Sequence, residues 1–97
     1  MIASIVHHYA QPGKVKEAQE LVREYGRLLR GCRGFLGRHT MSSQSDPLKI
    51  TSMTVWQRKE DYEAWRDSPD SQRIRQVVSK LWSKPPEPEF FDIVPEL

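Results

Sequence analysis

Residues 2–9, IASIVHHY, open the chain with β-branched and aromatic residues and without a single Lys, Arg, Asp or Glu. A strand with one face in water alternates polar and apolar side chains. A run free of charge instead suits a strand covered on both faces, in the middle of its sheet. The segment FFDIV at 90–94 repeats the demand near the other end of the chain. Ile5, Val6, Phe90, Phe91, Ile93 and Val94 place apolar side chains at neighbouring positions, so both strands want cover on two sides. Ninety-seven residues give one domain, spanning 1–97, and at 37% AVILMFWYC the apolar supply is lean. Helices can cover only one sheet face. The expectation is therefore a homodimer in which a second copy covers the other, sheet against sheet.

Between these strands the periodicity changes. QPGK at 11–14 breaks the first strand, and apolar side chains at 15, 18, 21, 22, 25, 28, 29 and 32 draw the stripe of an amphipathic helix over about 14–31. Gly31 and Gly34 offer positive-φ positions to stop it, and a second strand runs from Phe35 to Ser43. SQSDP at 43–47 is turn chemistry joining it to a third strand, LKITSMTVW, as a hairpin. In RKEDYEAWRDSP the acids come early, and Tyr62 and Trp65 stand three apart on one face of a short helix. Ser68 and Pro69 read as the N-cap and first residue of a further helical piece, with a stripe of Ile74, Val77, Val78, Leu81 and Trp82. PPEPE predicts neither helix nor sheet interior, and FFDIV is the last strand. The order βαββαβ is a split βαβ. It predicts an α+β, ferredoxin-like fold with an antiparallel sheet and helices on one face.

Charge and motif content narrow the function. A net charge of +2 does not mark a polyanion binder. Arg23, Arg27 and Arg30 stand at i, i+4 and i+7 and, with Arg33 and Arg38, form the one basic concentration. No exposed aromatic outside the apolar stripe interleaves them, so they read as a solvated face and no nucleic-acid partner is expected. No run of 18 apolar residues exists to cross a membrane. The lone Cys32 has no internal disulfide partner, and MIASIVHH lacks the marks of a signal peptide, which leads to the expectation of a cytoplasmic setting. No zinc-type spacing, phosphate-binding glycine loop or dinucleotide fingerprint is present, so neither metal nor organic cofactor is expected. His7 and His8, adjacent on a strand, point to opposite faces and cannot chelate one metal. One of them must face the helices.

Several segments, taken in order, carry a family resemblance. They are the opening strand running into QPGK, a first helix ending in RGCRGFLG, a third strand ending TVWQRKEDYEAW, the SP pair, and the closing EFFDIV. Together they resemble the antibiotic biosynthesis monooxygenase family of the dimeric α+β barrel superfamily. Its members include cofactor-free oxygenases of polycyclic phenols, quinol oxygenases, heme-degrading enzymes and proteins handling small signalling molecules. The resemblance implies a pocket between helices and sheet with Trp65 in its wall. The heme-degrading branch pairs an Asn on strand 1 with a helix Trp and a His ten residues later. Here Arg75 stands ten residues after Trp65, its guanidinium has no lone pair for iron, and the sequence contains no Asn. The cofactor-free branch also uses an Asn beside its Trp.

The leading expectation is a small monooxygenase oxidising an aromatic or quinol-type molecule without metal or organic cofactor. The catalytic candidates are His7 or His8 as base and Trp65 as positioning wall. Tyr62, Arg75 and His39 are the substrate-binding candidates. The alternatives are a non-catalytic small-molecule-binding or stress-response dimer of the same fold and, third, a heme-degrading enzyme.

Overall fold

The computed structural model describes residues 1–96. Its elements run β1 (Ile2–Tyr9), α1 (Val15–Leu29), β2 (Phe35–Ser42), β3 (Lys49–Trp56), α2 (Lys59–Arg66), α3 (Pro69–Val78), a 3-10 turn (Ser79–Leu81) and β4 (Glu87–Asp92). The four strands form one sheet in the order β2-β3-β1-β4, every neighbouring pair antiparallel. This is the ferredoxin-like α+β arrangement, and it places the uncharged β1 in the interior of the sheet.

Local chemistry explains most boundaries. Ser68 caps α3, its hydroxyl accepting from the Ser71 amide at 3.2 Å, and Pro69 opens the helix without a missing donor. The split between α2 and α3 thus falls at the SP pair. Gly34 takes φ +78° in the turn into β2, while Gly31 does not enter the left-handed region. One glycine is enough because the chain leaves α1 through right-handed geometry at Arg30.

Two expectations need correction. β4 begins at Glu87, three residues before FFDIV, and ends at Asp92, so Pro88 is paired opposite Val6 while Ile93 and Val94 lie beyond the strand. β4 is an edge strand, and an edge tolerates proline because its outward side needs no donor. Trp82 is not on a helix stripe either. It follows the 3-10 turn and bridges to Ala10, its ring stacked on His8 at 4.7 Å between centroids.

The register sorts the side chains into two layers. Ser4, Val6 and His8 of β1 face the helices together with Ile50, Ser52, Thr54 and Trp56 of β3 and Arg38 of β2. At one end of this layer Ala10, Ala18, Val22, Ile50, Val78, Leu81 and Trp82 close into an apolar core. Each large aliphatic side chain buried there contributes roughly 1.5–3 kcal/mol. The other face of the sheet carries Ala3, Ile5, His7, Met53, Val55 and Phe91 and has no helix over it.

Candidate functional site

Away from the apolar core the layer between helices and sheet becomes polar and opens into a cavity of about 130 Å³. Its floor is a row of registered residues, Arg38 opposite Thr54 and Thr54 opposite Ser4, with Ser52 and Val6 in the next row. Its roof is Trp65 from α2, Ile74 and Arg75 from α3, and Tyr25 from α1. Tyr62 closes one wall, held edge-on between Trp56 and Phe90 at 6.1 and 4.9 Å between ring centroids. The spacing of Tyr62 and Trp65 on one face of α2 is what brings both rings to the cavity.

Arg38 sets the electrostatics. It is half-buried, and burial pushes its guanidinium down from the ordinary arginine value. Among the described residues it makes no ion pair and no side-chain hydrogen bond; the arginines that do so are Arg58, Arg66, Arg73 and Arg75. The guanidinium lies against α1 where Gly26 leaves room, and a Cβ built there would stand 3.3 Å from Arg38 Nη1. Of the other two arginines in the lining, Arg66 pairs with Asp67 and Glu63, and Arg75 is partly committed, its Nη2 donating to the Arg66 carbonyl oxygen at 2.7 Å. The Tyr25 hydroxyl donates to the Ile74 carbonyl oxygen at 2.9 Å, and burial raises its pKa strongly, so it stays a neutral phenol.

Trp65, Tyr62 and Arg75 therefore share one cavity. The histidines do not. His8 faces the helices but sits one row beyond Val6, roughly 7 Å along the strand at about 3.3 Å per residue, inside the apolar core rather than in the lining. Its Nδ1 is buried without a partner, and desolvation first, then the charges of Arg38 and His7, hold its pKa down to about 4. His7 points to the opposite face of the sheet and shares a 2.8 Å hydrogen bond between Nδ1 and Thr51 Oγ1. His39 is also on that face, opposite Met53, and is exposed. Neither strand-1 histidine joins Trp65 in the cavity, because His7 points to the other sheet face and His8 stands one row beyond the cavity floor.

Sequence reading missed Arg38 as a site residue. It grouped with the arginines of α1 by charge. Its position at even spacing in β2, opposite Thr54, was the signal that could have separated it from them.

Among the described residues no three metal-ligating side chains cluster. No described helix is long and apolar enough to cross a membrane.

A four-stranded antiparallel sheet, helices on one face, and a recess between the layers define a ferredoxin-like α+β protein. The antibiotic biosynthesis monooxygenase family model matches residues 1–77, and the chain belongs to that family. No curated protein matches the chain. Solved structures share its fold. A protein described as a candidate antibiotic biosynthesis monooxygenase from Nitrosomonas europaea is 16% identical, with a TM-score of 0.88 over 97% of this chain and 99% of that one. One so described from Bordetella bronchiseptica is 24% identical, with a TM-score of 0.86 over 96% of each chain. A third, from Deinococcus radiodurans, is 12% identical, with a TM-score of 0.89 over 100% of this chain and 96% of that one. At these identities the likeness shows the fold alone.

Proposed function

We propose that the cavity binds a single aromatic ring of phenol or hydroquinone type and that the protein promotes its oxidation by dioxygen without a resident cofactor. The observation that carries this reading is the unpaired Arg38 guanidinium, set beside hydroxyl side chains and aromatic walls in a cavity of about 130 Å³. Size selects a small ligand, since a cavity of about 150 Å³ takes benzene. In this reading a polycyclic phenol is too large for the cavity as it stands. The ring packs against Trp65 and Tyr62, and its oxygen faces Arg38 and the hydroxyls of Thr54 and Ser52.

A cation beside a bound phenol favours the phenolate. With His7 and His8 outside the lining, the proton passes to water at the cavity mouth and Arg38 holds the anion. An electron-rich phenolate then reacts with dioxygen itself. A hydroquinone plus dioxygen gives a hydroxyquinone plus water: one oxygen atom is inserted at a ring C–H, the other leaves as water, and four electrons move from ring to oxygen. No external reductant is needed.

Oxygen uptake with a panel of single-ring hydroquinones tests the proposal. Arg38→Met is expected to lower the rate by about 10²-fold, the size of losing one donor to a developing oxyanion. Trp65→Phe is expected mainly to weaken binding. Equal rates for wild type and Arg38→Met would remove the assignment.

The dimer belongs to the same reading. Phe91 remains 42% exposed and Met41 39% exposed on a sheet face that also carries Ile5, Met53 and Val55. A second copy packed on that face would cover them. Light scattering at micromolar concentration is expected to show twice the mass of the chain, and a stable 11.4 kDa species would refute the pairing.

A further inference from the structure

Arg38 borders a second recess. A groove of about 810 Å³ runs between α1 and the edge strand β2, and Arg38 stands in the lining of both groove and cavity. We propose that this groove holds an acidic arm carried by the ring in the cavity, so that the substrate is a phenol or hydroquinone bearing a short chain that ends in a carboxylate or phosphate. The inference rests on the reading of the cavity given above and adds the substrate class.

Charge and pairing carry the argument. Arg23, Arg27 and Arg30 line the groove from one face of α1, and with Arg38 they set four guanidinium groups against the two carboxylates of Glu20 and Glu24, an excess of two positive charges. Intrahelical ion pairs would neutralise such a face, and the spacing of Glu20 to Arg23 and Glu24 to Arg27 allows them. Yet the ion pairs of the described residues involve Lys14, Arg58, Arg66, Arg73 and Lys84, and none involves these four arginines. Four unpaired guanidinium forks along one groove match the planar, bidentate geometry of carboxylate and phosphate. β2 adds backbone donors, because it pairs only with β3 and its outer amides are unused by the sheet. With two carboxylates against four guanidinium groups in the lining, the net charge favours an acidic arm over a neutral or cationic one. Arg38 joins the two sites and fixes how far the acid stands from the ring.

The test is calorimetric titration of the full chain at low salt with three probes. They are hydroquinone, 2,5-dihydroxyphenylacetate, and 2-(2,5-dihydroxyphenyl)ethyl phosphate. At least one acidic probe is expected to bind about tenfold or more tighter than hydroquinone, and which one does so tells carboxylate from phosphate. The gain should shrink as salt is raised, because the groove is open to solvent. The double variant Arg23→Gln/Arg27→Gln lies outside the cavity and should erase the gain while hydroquinone binding stays unchanged. Acidic probes that bind no tighter than hydroquinone, that fail to bind, or that keep their gain in the double variant overturn the inference. If hydroquinone does not bind but an acidic probe does and loses affinity in the double variant, the groove stands and the ring-binding reading of the cavity falls.

Discussion

Acid should weaken this fold through one residue, His8. Its ordinary pKa of 6.5 falls to about 4 in the folded chain, chiefly by burial, with Arg38 and His7 adding repulsion. The unfolded chain therefore takes up the proton more readily than the folded one, and stability must fall as the pH drops below 6.5. From 6.5 to about 4 the full loss is about 3.4 kcal/mol, at about 1.36 kcal/mol for each tenfold change. By the same linkage about 1.8 kcal/mol of it is lost between pH 7 and pH 5, before most carboxylates titrate. A domain of this length shifts by roughly 4–8 °C per kcal/mol, so His8 alone should lower the melting temperature by roughly 7–15 °C over that interval. His8→Phe keeps a ring on Trp82, removes the titration, and removes the buried Nδ1 that has no partner. Chemical denaturation of both proteins at pH 7 and pH 5, at one protein concentration, isolates the effect. The wild type should lose about 1.8 kcal/mol more than the variant. Equal losses within about 0.5 kcal/mol would refute the argument that His8 is buried neutral.

Three other outcomes follow from single positions. Gly34→Ala puts a side chain at φ +78° and drives its Cβ into the buried Asp61 carboxylate, so a loss of about 2–4 kcal/mol is expected; a melting point within about 4 °C of wild type would contradict it. Gly26→Ala should add about 0.5–1 kcal/mol to α1 while pushing the Arg38 guanidinium aside, giving a higher melting temperature with weaker hydroquinone binding; unchanged binding would show that Arg38 is not positioned against α1. Hemin should form no saturating one-to-one complex, because Arg75 lacks a lone pair and the histidines lie outside the cavity; a Soret shift abolished by replacing a single histidine would reverse this.

The strands and helices were legible because they rest on period and on cap chemistry that act locally. IASIVHHY announced an interior strand, and Ser68-Pro69 announced the break between α2 and α3. The Tyr62 and Trp65 pair also survived the step from sequence to cavity, since three-residue spacing on a helix fixes a shared face. What sequence alone did not resolve was distance along a strand. Parity assigns His8 to the helix side, but only the register with β3 tells that it stands opposite Ile50, in the apolar end, while Ser4 stands opposite Thr54, in the polar end. β4 was misjudged for a related reason. Its edge position is a property of the whole sheet and not of PPEPE.

The lean apolar composition has a second meaning once this layout is known. A sheet face pressed against helices is ordinarily apolar along its whole length, yet here Ser4 and Ser52 are buried, as is Ser71 of α3, and Arg38 stands half-buried in the same layer. Polar groups in such a layer weaken packing unless they find partners, and an arginine without an anion is the least favourable of them. The apolar core at the Ile50 and Trp82 end carries the fold, which leaves the polar end free to depart from what packing alone would choose. Both copies of the proposed dimer would keep this arrangement, because a second copy on the opposite sheet face would leave the cavity on the helix side untouched. On the function proposed above, the partner that Arg38 lacks within the chain is supplied by an anionic ligand.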